Sequence, residues 1–151
     1  MAIAILSLDE GVKEALKRIG TSTNRPVMAA IYGLPNSGKT FLIDKIAEML
    51  ERSRITVSRF HVTARRATFE AVRAAPPGPS QVHLYHCSWN KTKSKYLRPG
   101  DDDPNMLAMQ VLGRKLDLNI GIYNPSISGK VKSDYAFVIC NPDAQIKPPP
   151  A

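Results

Sequence analysis

The run Gly33-Leu34-Pro35-Asn36-Ser37-Gly38-Lys39-Thr40 has residue types and spacing suited to one chemistry, the holding of a phosphate chain. It satisfies the pattern G-x-x-x-x-G-K-[ST]. Glycine at 33 and 38 lets the backbone curl closely round an anion where a Cβ would obstruct. Main-chain amides from Asn36 through Ser37 and Gly38 to Thr40 would then face inward and join a helix N-terminus, which favours negative charge. Lys39 supplies a mobile point charge for the outer phosphates. The Thr40 hydroxyl supplies an oxygen ligand for Mg²⁺. A glycine turn with an ordinary helix cap would not explain why lysine and threonine both follow Gly38.

Such a loop must lie between a strand and a helix. Val27-Met28-Ala29-Ala30-Ile31-Tyr32 is apolar and partly β-branched, and reads as a short buried strand. After the loop, Leu42, Ile43, Ile46, Ala47 and Leu50 recur at helical spacing within Phe41–Leu50. The expected phosphate-binding residues are therefore Gly33, Asn36, Ser37, Gly38, Lys39, Thr40 and Phe41. Lys39 is the one expected to act on a transferring group, and Thr40 the one expected to hold the metal.

At 151 residues and 43% hydrophobic, the chain suits one globular domain, expected over 1–146, with a tail at 147–151 expected to be disordered. The net charge of +8 implies affinity for anions: nucleotides, phosphorylated substrates or nucleic acid. Cys87 and Cys140 form no C-x-x-C and lie in apolar runs, so buried thiols in a reducing compartment are expected. No run reaches the length of a membrane span. The opening Met1–Leu6 lacks a basic segment and turns acidic by Asp9, unlike a signal peptide. These features together point to the cytoplasm.

Ser7 and Glu10 form a capping-box pattern, and Leu8, Val12, Leu16 and Ile19 make one apolar stripe that Gly20 should end. This predicts an N-terminal amphipathic helix within 1–20. Further strands are expected at 54–62, 82–87, 118–123 and 135–140, and further helices at 64–75 and 103–116. Only about eleven residues separate the last two strands, with Pro125 and Gly129 among them, which predicts an antiparallel hairpin. The alternation of strands and helices favours an α/β sheet with helices on both faces.

On Ile31 to Leu50 the chain resembles the P-loop nucleoside triphosphate hydrolase superfamily, and Gly33–Thr40 after a short strand looks most like its small-molecule kinases, the uridine-kinase-like group included. That resemblance implies a three-layer α-β-α fold with a mostly parallel sheet, here reduced or truncated given its length and closed by the C-terminal hairpin. It also implies ATP and Mg²⁺ as cofactors, and kinase-like transfer of a phosphoryl group to a small acceptor. The alternatives are a nucleotide-binding pseudoenzyme or interaction module, or a fragment of a larger enzyme.

Three departures qualify the resemblance. No strand ends in a clear Walker B aspartate; Asp143 is the closest, behind Pro142. Asn90-Lys91-Thr92-Lys93 has lysine where a guanine-reading carboxylate belongs. The second strand ends at His61-Val62-Thr63 without the acidic residue many such kinases use on their acceptor. Lys91, Lys93, Lys95 and Arg98 around Tyr96 suit a lid over phosphates, with a nucleic-acid surface as the less favoured reading. Asp101-Asp102-Asp103 reads as helix capping. His61, His83 and His86 read as strand residues, with His86 a weak candidate for a general base.

Overall fold

The structure, a computed structural model, describes residues 4–33, 37–62, 70–73, 80–88, 104–125 and 135–142. In chain order the elements are β1 (Ile5–Leu6), α1 (Leu8–Thr21), β2 (Val27–Gly33), α2 (Lys39–Arg52), β3 (Val57–Val62), α3 (the helical residues 70–73), β4 (Val82–Ser88), α4 (Pro104–Leu112), β5 (Leu118–Tyr123) and β6 (Phe137–Cys140).

The strands form a six-stranded sheet in the order β1-β6-β5-β2-β4-β3. Every pairing is parallel. Strand β2 is central and all seven of its residues are buried. A parallel strand covered on both faces has no solvent side, which explains its unbroken apolar sequence.

The connections obey one rule. From β1 to β2 and from β2 to β3 the chain moves toward the β3 edge; from β3 to β4 and from β4 to β5 it moves back. A single crossover hand requires opposite directions to use opposite faces. Accordingly α1 and α2 pack on the face made by Val27, Ala29, Ile31, Leu84 and Ile120. Val72 of α3 and Ala108 and Val111 of α4 pack on the face of Met28, Ala30 and Tyr85. The result is three layers, helix on sheet on helix.

The N-terminal helix forms as its pattern predicts. Glu10 N–H donates to Ser7 Oγ at 3.2 Å, and Ser7 N–H donates to Glu10 Oε1 at 3.0 Å, closing the capping box. It passes Gly20 and stops after Thr21, where Ser22 N–H reaches back to the Ile19 carbonyl. Helix α4 ends at Leu112, earlier than the expected 116, because Gly113 turns left-handed at φ +76°.

Two expectations about strands are overturned. The antiparallel hairpin is absent: β5 and β6 are neighbours but parallel, with Ile120 opposite Phe137 and Tyr123 opposite Cys140. The connection at 124–136 is about as long as a parallel crossover requires, a dozen residues or so, and periodicity carries no information on strand direction. The opening residues, read only for a targeting signal, contribute Ile5 and Leu6 as β1 beside Val138 and Ile139. A two-residue edge strand is too short to show a period.

The amino-terminal edge of the sheet is tied by Asp117. Its Oδ2 accepts the Met28 N–H at 2.8 Å and an Arg114 N–H at 2.6 Å, while Oδ1 accepts from Asn24 Nδ2 at 2.6 Å. Arg114 also donates to the Pro26 carbonyl at 2.6 Å. These contacts fix the starts of β2 and β5 against each other. The opposite, carboxyl edge is left for the loop at Gly33.

Candidate functional site

Strand register brings the site together. Gly33, the last residue of β2, lies beside Ser88 of β4, and Tyr32 lies between Cys87 of β4 and Gly121 of β5. The loop at Gly33 thus opens at the carboxyl edge of the central strand, beside β4, whose following helix α4 packs on the opposite face of the sheet from α2. That is where open α/β sheets bind ligands.

Gly33 has no room for a side chain. A Cβ there would stand 2.6 Å from the Ile122 carbonyl oxygen and 2.6 Å from Ser37 Oγ. Leu34, Pro35 and Asn36 lie outside the described residues. Ser37 is buried, and its carbonyl accepts from Asn141 Nδ2 at 3.2 Å. Gly38 sits at φ +95°, the left-handed region that admits glycine freely, and a Cβ on it would meet Asn141 Nδ2 at 2.4 Å. Its carbonyl starts α2 by accepting the Leu42 N–H at 2.9 Å.

Among the described residues no side-chain hydrogen bond caps α2, and its first turn carries no acidic residue. An uncapped helix N-terminus presents main-chain donors and a partial positive charge. Lys39 stands at this opening. It is only 5% exposed, and its ammonium donates to the Gly33 carbonyl at 2.6 Å. Burial pulls its pKa down to about 8, with Cys87 nearby acting the other way. Thr40 is exposed, with Oγ1 3.3 Å from His86 Nε2. Phe41 is 59% exposed.

His86 is the residue that sequence reasoning undervalued. It projects from β4 onto the α2 face, directly in register with His61 on β3, and the two rings stand 4.5 Å apart between centroids. Burial pulls its pKa down to about 4, and the charges of Lys39 and His61 push the same way. It is therefore neutral at pH 7, and a group so weakly basic is a poor proton acceptor there. One turn beyond Thr40, Asp44 pairs with Arg59, whose other nitrogen lies 3.7 Å from Glu51. Asn141 is the second residue missed. It follows β6 and clamps the loop from a strand more than a hundred positions away. Nothing local in the sequence signals either contact, because both depend on strand order.

Among the described residues no strand ends on a carboxylate: β4 finishes at His86-Cys87-Ser88, β5 at Tyr123-Asn124 and β6 at Cys140-Asn141. Asp143, Asp101 to Asp103 and the basic residues Lys91, Lys93, Lys95 and Arg98 lie outside the described residues. Among the described residues no three His, Cys, Asp or Glu side chains gather as a metal cluster. Cys87 is buried and Cys140 half-buried, and neither is in a disulfide; the Cys87 thiol donates to the Tyr85 carbonyl at 3.9 Å. No described helix is long and apolar enough to cross a membrane.

These residues fit a phosphate chain: close glycines, uncapped amides and a buried ammonium all favour an anion. They fit Mg²⁺ less well. Thr40 offers a hard oxygen, but a nitrogen of His86 stands opposite it where a carboxylate would suit Mg²⁺. Against known proteins, no family model matches this chain, and neither does any curated protein or solved structure.

Proposed function

We propose that the chain binds a nucleoside triphosphate, ATP in the first instance, in the loop from Gly33 to Thr40. Kinase-like transfer of its terminal phosphoryl group to a small acceptor is part of this proposal. The observation that carries it is the pairing of an uncapped α2, opening on left-handed Gly38, with the buried Lys39 ammonium at the mouth of the loop. The Lys39 ammonium, which donates to the Gly33 carbonyl, would make a stronger, charge-assisted hydrogen bond to a phosphate oxygen.

Each residue then has a defined task. Gly33 and Gly38 keep the backbone close, and the amides at Gly38, Lys39, Thr40 and Phe41 face the anion. Lys39 neutralises the outer phosphates. A divalent ion held with Thr40 would supply charge neutralisation between those phosphates. In the transfer, an acceptor oxygen bonds to the terminal phosphorus, the bond to the bridging oxygen breaks, and the diphosphate leaves. The acceptor proton needs a base, and the described residues do not include a suitable one, since His86 is too weakly basic at pH 7.

The missing carboxylate at the described strand ends favours a second reading, a module that binds nucleotide without turnover. Both are tested with one purified protein. Equilibrium binding of ATP in wild type and in Lys39→Ala, checked by circular dichroism for folding, should show at least tenfold weaker binding in the variant. Equal affinity would remove the phosphate role. Measured ADP formation then separates the kinase-like reading from the binding module.

A further inference from the structure

We propose that Asn141 is the positioning residue of the phosphate loop, its side-chain amide holding the Ser37–Gly38 peptide in the orientation that presents the Gly38 N–H to an anion. This rests on the nucleotide reading above and adds to it a residue carried by β6. Asn141 follows that strand, and its own N–H donates to the Tyr123 carbonyl at 2.8 Å, which fixes where the side chain starts. Its Nδ2 donates to the Ser37 carbonyl at 3.2 Å, and both residues are buried. The loop also rests against the end of β5. A Cβ on Gly33 would stand 2.6 Å from the Ile122 carbonyl oxygen, and one on Gly38 would stand 3.7 Å from Ile122 Cδ1.

The peptide plane links this contact to the anion. In a trans peptide the carbonyl and the N–H that follows it point in opposite directions. A Ser37 carbonyl held by Asn141 therefore turns the Gly38 N–H away from Asn141. Glycine makes such a lock necessary. Gly38, at φ +95°, is of the type that takes positive and negative φ alike, so the peptide before it rotates at little steric cost. A rotated peptide would offer a carbonyl where the amide stood, and would repel phosphate. With the Asn141 amide in place, that rotation breaks a buried hydrogen bond. A neutral donor also suits this place better than a carboxylate, which would face the Ser37 carbonyl and oppose the anion.

The test measures ATP affinity by calorimetry at pH 5 and pH 8 for wild type, Asn141→Ala and Asn141→Asp, with folding followed by circular dichroism. At pH 8 both variants should bind about tenfold more weakly than wild type, the worth of one hydrogen bond. Asn141→Ala brings in no charge and carries this comparison if the carboxylate prevents folding. At pH 5 the introduced carboxyl, kept neutral by burial, donates as the amide did. Asn141→Asp should then recover to within about threefold of wild type at the same pH, while Asn141→Ala should not. NMR reads the peptide itself: the Gly38 amide proton should move downfield at saturating ATP in wild type and far less in Asn141→Ala. A residue that only supported the fold would alter neither this signal nor the affinity of folded protein. Wild-type affinity in the folded variants at pH 8, or an equal Gly38 shift in Asn141→Ala, overturns the positioning role and leaves the nucleotide reading standing. Weak binding by folded Asn141→Asp that persists at pH 5 also overturns it. Absence of ATP binding by wild type sinks both.

Discussion

Lys39 is the residue at which burial and charge meet. With its pKa drawn down to about 8, it loses its proton progressively above that pH, while bound phosphate would favour the charged form. Triphosphate affinity should therefore fall above about pH 8, by up to about tenfold per pH unit for one linked proton. Calorimetry across pH 7–10 checks this, and Lys39→Ala should flatten the profile. His86 acts on stability in the acid range. Its folded pKa of about 4 lies below the ordinary value of 6.5, so the unfolded chain binds the extra proton between them. This contribution is fully present above pH 6.5 and is lost as pH falls to about 4. His83, also shifted down by burial, adds in the same direction. Melting temperature should drop across that window, and less steeply in His86→Gln.

Between elements, two contacts hold the site in shape. At the carboxyl edge, Gly38 joins the loop to α2 under the side chain of Asn141. Gly38→Ala would place a Cβ at φ +95° and 2.4 Å from Asn141 Nδ2. A strained backbone of this kind costs about 1–3 kcal/mol before the clash is added. The melting temperature should fall measurably, and phosphate binding should fall with it because α2 would be re-aimed. At the amino edge, Asp117 accepts the Met28 amide and anchors Arg114. Asp117→Asn keeps the shape but removes the charge that both donors face. A loss of about 1–3 kcal/mol is expected by denaturant titration, as for a partly buried charge-assisted network. Binding should change little, because this network lies at the far end of β2 from the loop.

At the level of the whole molecule, the sheet order predicts where stability resides. Strand β2 is flanked by β4 and β5 and buried on both faces, while β1 is a two-residue edge beside β6. Native-state hydrogen exchange should find the slowest amides in β2, β4 and β5 and the fastest strand amides in β1. Uniform protection across the sheet would contradict this order. The glycine loop, the apolar run of β2 and the stripes of α1 and α2 were all readable because each is a local pattern of a few residues. Strand existence was likewise legible at β3 to β6, with starts displaced by up to three residues.

What the sequence by itself determined is thus the inventory: an α/β alternation, a glycine-bearing connection between a buried strand and a helix, and the capped helix ahead of it. These follow from side-chain period, backbone freedom and capping chemistry, which act within one or two turns of chain. Strand direction, strand order and the short β1 were decided only in three dimensions. The parallel pairing of β5 with β6 replaced an expected hairpin, because turn-forming residues permit either a reversal or a crossover. His86 beside Thr40, His61 beside His86, and Asn141 over Gly38 are products of that order. Residues far apart in the chain became neighbours when the sheet inserted β4 between β2 and β3 and brought the end of β6 back to the loop.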